Sequence, residues 1–258
     1  MSSMIRRNMR RMFVPGLAMP ATLKVPYEKK LKNLLGVSSI VGLWVVSEIL
    51  GTSIADAGPN GLTGTLSGTG VALANAAGPK GKLAPLFSNG YVNLYSAALN
   101  SAFNTAEGTL LIFSKLSAAD VWTDGSNDCL FHIGVNGTTN YIRLLKGSGS
   151  NTLQGTYMAG STEKTRIISS VTTTAWFVLA FTWSVSGNAA ILYLNAVKQG
   201  ATLTGLGTWS GALVNNYNNI GCQVATTPVL PANGWLQYAL IMNRPATQPE
   251  LSTISAMA

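Results

Sequence analysis

Acidic residues are the first place to look for chemistry, and this chain has only nine among its 258 residues. Hydrolysis of a glycosidic bond uses two carboxyl groups, one that protonates the leaving oxygen and one that attacks the sugar or activates water. On a β-strand such a pair must lie at alternate positions, so that both side chains share one face. None of the apolar runs carries two acidic residues in that arrangement. The sequence therefore predicts a protein that binds and does not catalyse.

The densest acidic cluster is Asp124-Gly125-Ser126-Asn127-Asp128, on an expected loop between two strands. Its oxygen-rich side chains suit a hard cation, so Asp124, Asn127 and Asp128 are candidate ligands for calcium, and no other cofactor is expected. The alternative is a simple turn, because Asp, Gly, Ser and Asn each favour turns for backbone reasons.

The chain has one histidine, His132, within the apolar run Leu130–Ile133. Without a serine or cysteine in a nucleophile context, this residue is expected to pack in the core and not to act as a base. Cys129 and Cys222 show no metal-ligand spacing, and a domain of this size folds without a disulfide. We expect two buried free thiols.

Four aromatic residues on expected loops are candidates for stacking on sugar rings, because an aromatic face binds the apolar face of a sugar as it binds other flat groups. The candidates for carbohydrate binding are Trp122, Tyr157, Trp209 and Tyr217. The alternative is that they are core residues of a large sandwich.

The elements that position these residues are short apolar runs separated by Gly, Asn, Ser and Thr clusters. This spacing is typical of an all-β sandwich or barrel. The predicted strands are Ile40–Val46, Gly90–Tyr95, Thr109–Leu116, Asp128–Val135, Tyr141–Lys146, Gln154–Met158, Lys164–Ser170, Trp176–Val185, Ala190–Val197, Ile220–Ala225 and Trp235–Asn243.

Turn and cap signals add detail to this pattern. Ser186-Gly187-Asn188 predicts a tight hairpin turn, with Gly187 supplying the positive φ. Thr247 followed three residues later by Glu250 forms a capping box, which predicts a short C-terminal helix. A second short helix is predicted over Tyr27–Leu35.

Basic charge is concentrated at the start of the chain, where residues 1–35 carry +7 of the total net charge of +8. Such a segment can bind an acidic protein surface, nucleic acid or anionic lipid, and the alternative is a solvated tail. We expect a protein partner and not nucleic acid. The candidate anchoring residues are Arg6, Arg7, Arg10, Arg11, Lys29, Lys30 and Lys32.

No secretory signal or membrane insertion is expected. Pro15 and Pro20 interrupt the apolar stretch from Met12 to Ala21, and a signal needs an uninterrupted one. No later run reaches the ~20 apolar residues of a membrane-spanning helix. The predicted organisation is a basic anchoring arm over residues 1–36 and a folded domain over residues 37–258.

Four segments in order resemble the laminin-G type of jelly roll, found among concanavalin A-like lectins and glucanases. They are Val41–Trp44 with the turn Asp56-Ala57-Gly58-Pro59-Asn60-Gly61, then Phe87–Val92, the hairpin Trp176–Val197, and Gly234–Arg244 leading to the Glu250 helix. The resemblance implies a two-sheet antiparallel jelly-roll sandwich covering about residues 40–258. Gln237 stands where the family usually has an acid, which puts an inherited ion site in doubt.

These features together suggest a non-enzymatic virion structural protein of a bacteriophage. It would be a capsid decoration or tail-fibre component, anchored by its arm and displaying the jelly roll. The expected partners are other virion or assembly proteins and further copies in a homo-oligomer, and the expected location is the virion, assembled in the host cytoplasm. The alternative is a lectin or adhesion module for a cell-surface glycan, and a third is a glucanase-type enzyme.

Overall fold

The computed structural model describes residues 26–79, 82–225 and 228–256. Of these residues, 44% lie in strands and 14% in helices. Every strand pairing is antiparallel, which confirms the predicted all-β class. The strands are β1 (Ile40–Leu50), β2 (Ser53–Asp56), β3 (Gly64–Ser67), β4 (Val71–Ala77), β5 (Leu83–Phe87), β6 (Tyr91–Asn93), β7 (Glu107–Leu116), β8 (Asp128–Gly134), β9 (Tyr141–Lys146), β10 (Leu153–Ala159), β11 (Thr162–Ile168), β12 (Phe177–Ser184), β13 (Ala189–Leu194), β14 (Val197–Lys198), β15 (Asn218–Ile220) and β16 (Gly234–Met242).

The strands form one hydrogen-bonded sheet that folds back on itself into two layers. The first layer has the order β11-β10-β9-β8-β15-β6-β3, and the second has the order β1-β16-β7-β12-β13-β14. Strand β2 pairs with β3 on one side and β1 on the other, so it joins the layers. Strands β8, β9 and β10 then face β7, β12 and β13 across the interior. The β4–β5 hairpin extends the second layer through β16.

The main core lies between the two layers. Alternate side chains point inward from each strand, as the pleat requires, and exclude water from both inner faces. Gly155 on β10 permits close approach, because a Cβ there would lie 2.6 Å from the Phe181 ring and 2.7 Å from Leu192. The largest fully buried rings of this core include Trp44, Phe87, Trp122, Phe131, Tyr157, Phe177, Phe181 and Trp183.

A second apolar cluster covers the outer face of the second layer. The helices α1 (Tyr27–Leu35) and α3 (Gln248–Ala256) pack there against β1, β7 and β16. Helix α1 confirms the sequence prediction. It buries Tyr27, Leu31 and Leu35. Part of the segment assigned to the basic arm is therefore packed against the sandwich.

The charged residues of the arm divide at this helix. Lys29 and Lys30 are exposed on α1, and Lys32 is partly exposed. Arg6, Arg7, Arg10 and Arg11 lie outside the described residues. The role predicted for all seven as anchors stays a prediction.

Helix α3 begins with the predicted capping box. The Thr247 backbone N–H donates to Glu250 Oε2 at 2.7 Å, and the Glu250 N–H donates to Thr247 Oγ1 at 3.4 Å. Arg244 donates two further bonds to the same carboxylate, at 2.6 and 2.9 Å. These bonds to the charged form, those from Arg244 foremost, lower the pKa of Glu250 to about 2.

Sequence and structure differ at a few elements. The predicted strand Ile220–Ala225 is wrong in position, because β15 ends at Ile220 and Gly221 takes a φ of 89°. In the β12–β13 hairpin the positive φ belongs to Asn188, at 46°, and not to Gly187. Strands β2, β3, β4, β5 and β14 and helix α2 (Ala97–Ala102) were not predicted.

A carboxylate secures the turn that follows the crossover strand. Asp56, at the end of β2, accepts from the backbone N–H of Leu43 at 2.8 Å, of Gly58 at 2.6 Å and of Leu62 at 3.0 Å. Asn60 donates to the Val41 carbonyl at 2.8 Å. The turn that resembles the jelly-roll opening is therefore a capping structure.

Within the described residues no helix is long and apolar enough to cross a membrane.

Replacing Asp56 with Ala should lower the free energy of unfolding by about 2–4 kcal/mol. Each buried donor left unpaired costs about 1–3 kcal/mol, and the total is reduced because part of this turn is exposed to water. Urea denaturation measures the change. Asp120→Ala is the matched control, since that side chain is exposed, and should change stability by less than about 0.5 kcal/mol. Equal effects of the two substitutions would contradict the role given to Asp56.

Candidate functional site

One end of the sandwich carries a cleft of about 390 Å³. It lies where the β5–β6 turn, the β7–β8 loop and the segment before β16 meet. This volume is within the ~300–1,000 Å³ range of small-molecule pockets. The lining residues are Ser88, Asp124, Ser126, Asn127, Asp128, Leu230, Pro231 and Asn233.

A buried ammonium group holds the β7–β8 loop at this cleft. Lys146 ends β9, directly opposite Asp128 on β8, and its side chain is 0% exposed. Its Nζ donates to Asp124 Oδ1 and, at 2.9 Å, to the carbonyl of Ser126. The same Nζ lies 3.8 Å from Asp128 Oδ2. A buried charge needs such partners, so Lys146 determines where the loop lies.

This arrangement corrects the calcium interpretation of Asp124, Asn127 and Asp128. The Lys146 ammonium already supplies the positive charge between the two carboxylates. Asp124 Oδ1 also accepts from the Ser126 N–H at 2.8 Å, and Asn127 Oδ1 accepts from the Ser148 N–H at 2.7 Å. In the described part of the chain, no group of three or more His, Cys, Asp or Glu side chains could hold a metal ion. The residues form a lysine-centred turn, closer to the alternative interpretation.

Asp128 lies at the base of the cleft and is 3% exposed. Burial raises the pKa of its carboxyl group to about 6, against the opposing effect of Lys146. Its Oδ2 atom is sealed from solvent and makes no hydrogen bond within the described structure. Asp128 therefore contributes negative charge at the base of the cleft without being accessible to solvent.

The accessible groups of the cleft combine hydrogen-bond donors and acceptors. The Asp124 side chain is 31% exposed, and Ser126 and Ser88 are exposed. Asn127 and Asn233 are partly exposed. Asn233 uses its Oδ1 atom to accept from Ser117 Oγ at 2.5 Å. Both carboxamide Nδ2 groups make no hydrogen bond to the described residues, so they are left to bind a ligand.

Two of the four aromatic candidates for sugar stacking are wrong, because the structure buries them. Trp122 is 1% exposed, packs on Phe177 and donates its Nε1–H to the Thr173 carbonyl at 2.9 Å. Tyr157 is 0% exposed in the core between the layers. The sequence does not distinguish these rings from loop aromatics, because burial depends on the facing layer.

The other two aromatic candidates are partly exposed but lie away from the cleft. Trp209 packs against Phe103, with ring centroids 5.9 Å apart. The carbonyl of Tyr217 is 2.8 Å from His132 Nδ1, near the opposite end of β8 from the cleft. The seven residues of β8 span roughly 20 Å at ~3.3 Å per residue. The structure therefore does not bring these aromatics together with the acidic cluster.

His132 is fully buried, as the sequence predicts. Its ring stacks on Tyr141 with centroids 5.3 Å apart. Desolvation lowers the pKa of the imidazole to about 4, so the ring is neutral at physiological pH. Cys129 and Cys222 are buried free thiols, also as predicted, and burial raises the pKa of both.

The sequence missed most of the cleft. It identified Asp124, Asn127 and Asp128 as a cluster but not Ser88, Leu230, Pro231 or Asn233, which come from separate loops. It also missed Lys146, the last residue of a predicted strand. The one available signal was a lysine at the inward position that follows Ile142 and Leu144 along the strand.

No protein-family model and no curated protein sequence matches the chain. Among solved structures, the CBM40 domain of the Ruminococcus gnavus IT-sialidase, bound to α2,3-sialyllactose, is similar with a TM-score of 0.53. The identity is 14%, over 65% of this chain and 92% of that one. Domain 4 of an extracellular arabinanase from Geobacillus stearothermophilus, in complex with arabinotriose, has a TM-score of 0.56. It is 17% identical, over 84% and 98% of the two chains.

The receptor-binding domain of the botulinum neurotoxin mosaic serotype C/D is also similar, with a TM-score of 0.61 and 11% identity. This match covers 85% of the present chain and 51% of the neurotoxin chain, about half its length. At these identities the likeness establishes the fold alone. The chain is an all-β sandwich of the jelly-roll kind that these carbohydrate-binding modules share.

The raised pKa of Asp128 predicts a pH dependence of stability. Its carboxyl titrates near 3.8 when unfolded and near 6 when folded. Below pH ~4 both states hold the proton, and between pH 4 and 6 only the folded state keeps it. Wild type should therefore lose about 1–3 kcal/mol of stability relative to Asp128→Asn as the pH rises from 4 to 7. Urea denaturation of both proteins across this range measures the difference, and a pH-independent difference would contradict the assignment.

Proposed function

We propose that this chain is a non-catalytic carbohydrate-binding module whose ligand site is the cleft around Asp124. The observation that carries the proposal is the set of accessible groups: a carboxylate acceptor, two free carboxamide donors and two hydroxyl groups within one cleft of about 390 Å³. Each sugar hydroxyl both donates and accepts a hydrogen bond, so this mixture suits a sugar ring. Leu230 and Pro231 offer an apolar surface for the ring's C–H groups.

Two further observations support the proposal. The fold is shared with the sialidase and arabinanase modules, which were solved with sialyllactose and arabinotriose. The sandwich itself, without the basic segment, is nearly neutral, so a neutral ligand fits its surface better than a polyanion.

The cleft contains two carboxyl groups, yet its geometry favours binding over hydrolysis. A glycosidase acid must contact the glycosidic oxygen to protonate it. Asp128, the carboxyl with the raised pKa, has its unbonded oxygen sealed from solvent. Asp124 is bonded to the buried Lys146 ammonium. Neither group is placed as a free acid above a substrate.

Filling the cleft should weaken sugar binding. Ser126→Met places an apolar side chain into it at an exposed position and should weaken the tightest-binding glycan of an array at least tenfold. Ser252→Met, on the exposed face of α3, is the matched control and should bind like wild type. Calorimetric titration measures both affinities. If wild type binds no glycan on a broad array, or if Ser126→Met binds as wild type does, the proposal fails.

We also propose, from the charge distribution, that the N-terminal arm anchors the chain in a larger assembly, with a virion as the expected one. Residues 1–35 hold nearly all the net charge, and α1 leaves Lys29 and Lys30 exposed near the end of this basic segment. Arginine suits docking on a neighbouring subunit because its planar group pairs two oxygens at once. The binding module would then face outward from that assembly.

Replacing Arg6, Arg7, Arg10 and Arg11 together with Ala should leave the sandwich folded, since no core residue changes. It should also lower incorporation into purified particles, more so at high salt. Circular dichroism checks the fold, and the amount of chain per particle measures incorporation. A control variant in which Lys164 and Lys198 of the sandwich are replaced with Ala should be incorporated into particles as wild type is. Normal assembly of the quadruple variant, or absence of the chain from particles, would contradict the anchoring role.

A further inference from the structure

Around the cleft, carboxylate groups outnumber ammonium groups. Asp124 and Asp128 both line it, and the one ammonium beside them, that of Lys146, lies beneath the surface. Among the residues that the structure describes, no basic side chain lines the cleft. The carboxyl group of Asp128, with a pKa of about 6, is mostly ionised at pH 7.4. The site then carries about one net negative charge.

The Lys146 ammonium is not available to a ligand. Its side chain is 0% exposed, and it donates to Asp124 Oδ1 and the Ser126 carbonyl inside the protein. An anionic sugar entering the cleft would meet the exposed part of Asp124 with no accessible cation to pair with. Like charges a few ångströms apart repel each other in a partly desolvated site, and desolvating the sugar's own charge adds a further cost.

The hydrogen-bonding groups of the cleft favour a neutral ligand that carries hydroxyl groups. Asp124 offers a carboxylate acceptor within reach of solvent, since its side chain is 31% exposed. The carboxamide Nδ2 groups of Asn127 and Asn233 are the matching donors. Sugar hydroxyls satisfy acceptors and donors together, whereas a carboxylate or sulfate group accepts only.

We propose that this cleft selects neutral, hydroxyl-rich glycans and excludes glycans that carry a carboxylate or sulfate group at the bound sugar. The inference rests on the proposed carbohydrate-binding function and specifies its ligand class. Selection comes from two carboxylates that share one inaccessible ammonium, which leaves no cation to receive an anionic sugar.

The test is an array in which each neutral oligosaccharide is printed beside its own uronic acid and sulfated derivatives. The full chain should bind its neutral ligands at least tenfold more tightly than the anionic derivatives at pH 7.4. Raising the salt concentration should narrow that ratio, because the repulsion is screened. Binding to an anionic derivative as tightly as to its neutral parent would overturn the inference and leave the proposed function standing. Binding to no glycan would instead remove the proposed function, and the inference with it.

Two variants identify the charge responsible. Asp124→Asn keeps an oxygen for Lys146 but removes one negative charge, and the preference for the neutral ligand should fall about tenfold. Thr123→Lys adds an accessible cation at an exposed position beside Asp124 and outside the cleft lining, and it needs no buried group to change, so it serves if the first variant folds poorly. Ser252→Lys, far from the cleft on α3, adds the same charge and should leave the preference unchanged. An unaltered preference in both Asp124→Asn and Thr123→Lys would contradict the mechanism.

Discussion

The whole two-layer arrangement depends on one crossover, where a single continuous sheet leaves the second layer at β1 and enters the first layer through β2. Asp56 is the residue that holds this point. Its carboxylate accepts three backbone N–H groups, one from β1 and two from the loop that follows β2. The indole N–H of Trp44 donates to the Leu62 carbonyl at 2.5 Å, which ties the same loop to the core. Because these donors would otherwise be unpaired, the fold-back has one preferred geometry.

A second buried polar group decides the shape of the cleft. Lys146 lies at the interior end of β9, where an ammonium is unfavourable unless oxygen atoms surround it. The β7–β8 loop supplies those atoms from Asp124, Ser126 and Asp128. The same requirement that stabilises Lys146 therefore fixes the loop, places the Asp124 carboxylate at the rim and leaves the cleft with an excess of negative charge.

The net charge of the chain is distributed unevenly between its parts. The sandwich is nearly neutral and has a polar cleft at one end, whereas the N-terminal segment carries almost all of the net positive charge. Helix α1 joins the two, since it packs on the outer face of the second layer through Tyr27, Leu31 and Leu35. In the anchoring role that we propose, this packed helix would let the basic segment bind a partner without disturbing the core.

By itself the sequence determined the class of fold, most of the long strands, and helices α1 and α3, because apolar periodicity and capping signals are local. The strand Tyr141–Lys146 was predicted with its observed bounds. It also indicated that Asp124, Asn127 and Asp128 act together, since they are neighbours in the chain. Only the tertiary structure decided that the Lys146 ammonium lies between Asp124 and Asp128 and that Trp122 and Tyr157 are buried. The same is true of the loops carrying Ser88 and Asn233, which complete the cleft. These outcomes depend on which strands pair and which layers face each other, and such contacts between distant residues leave no pattern in a local stretch of sequence.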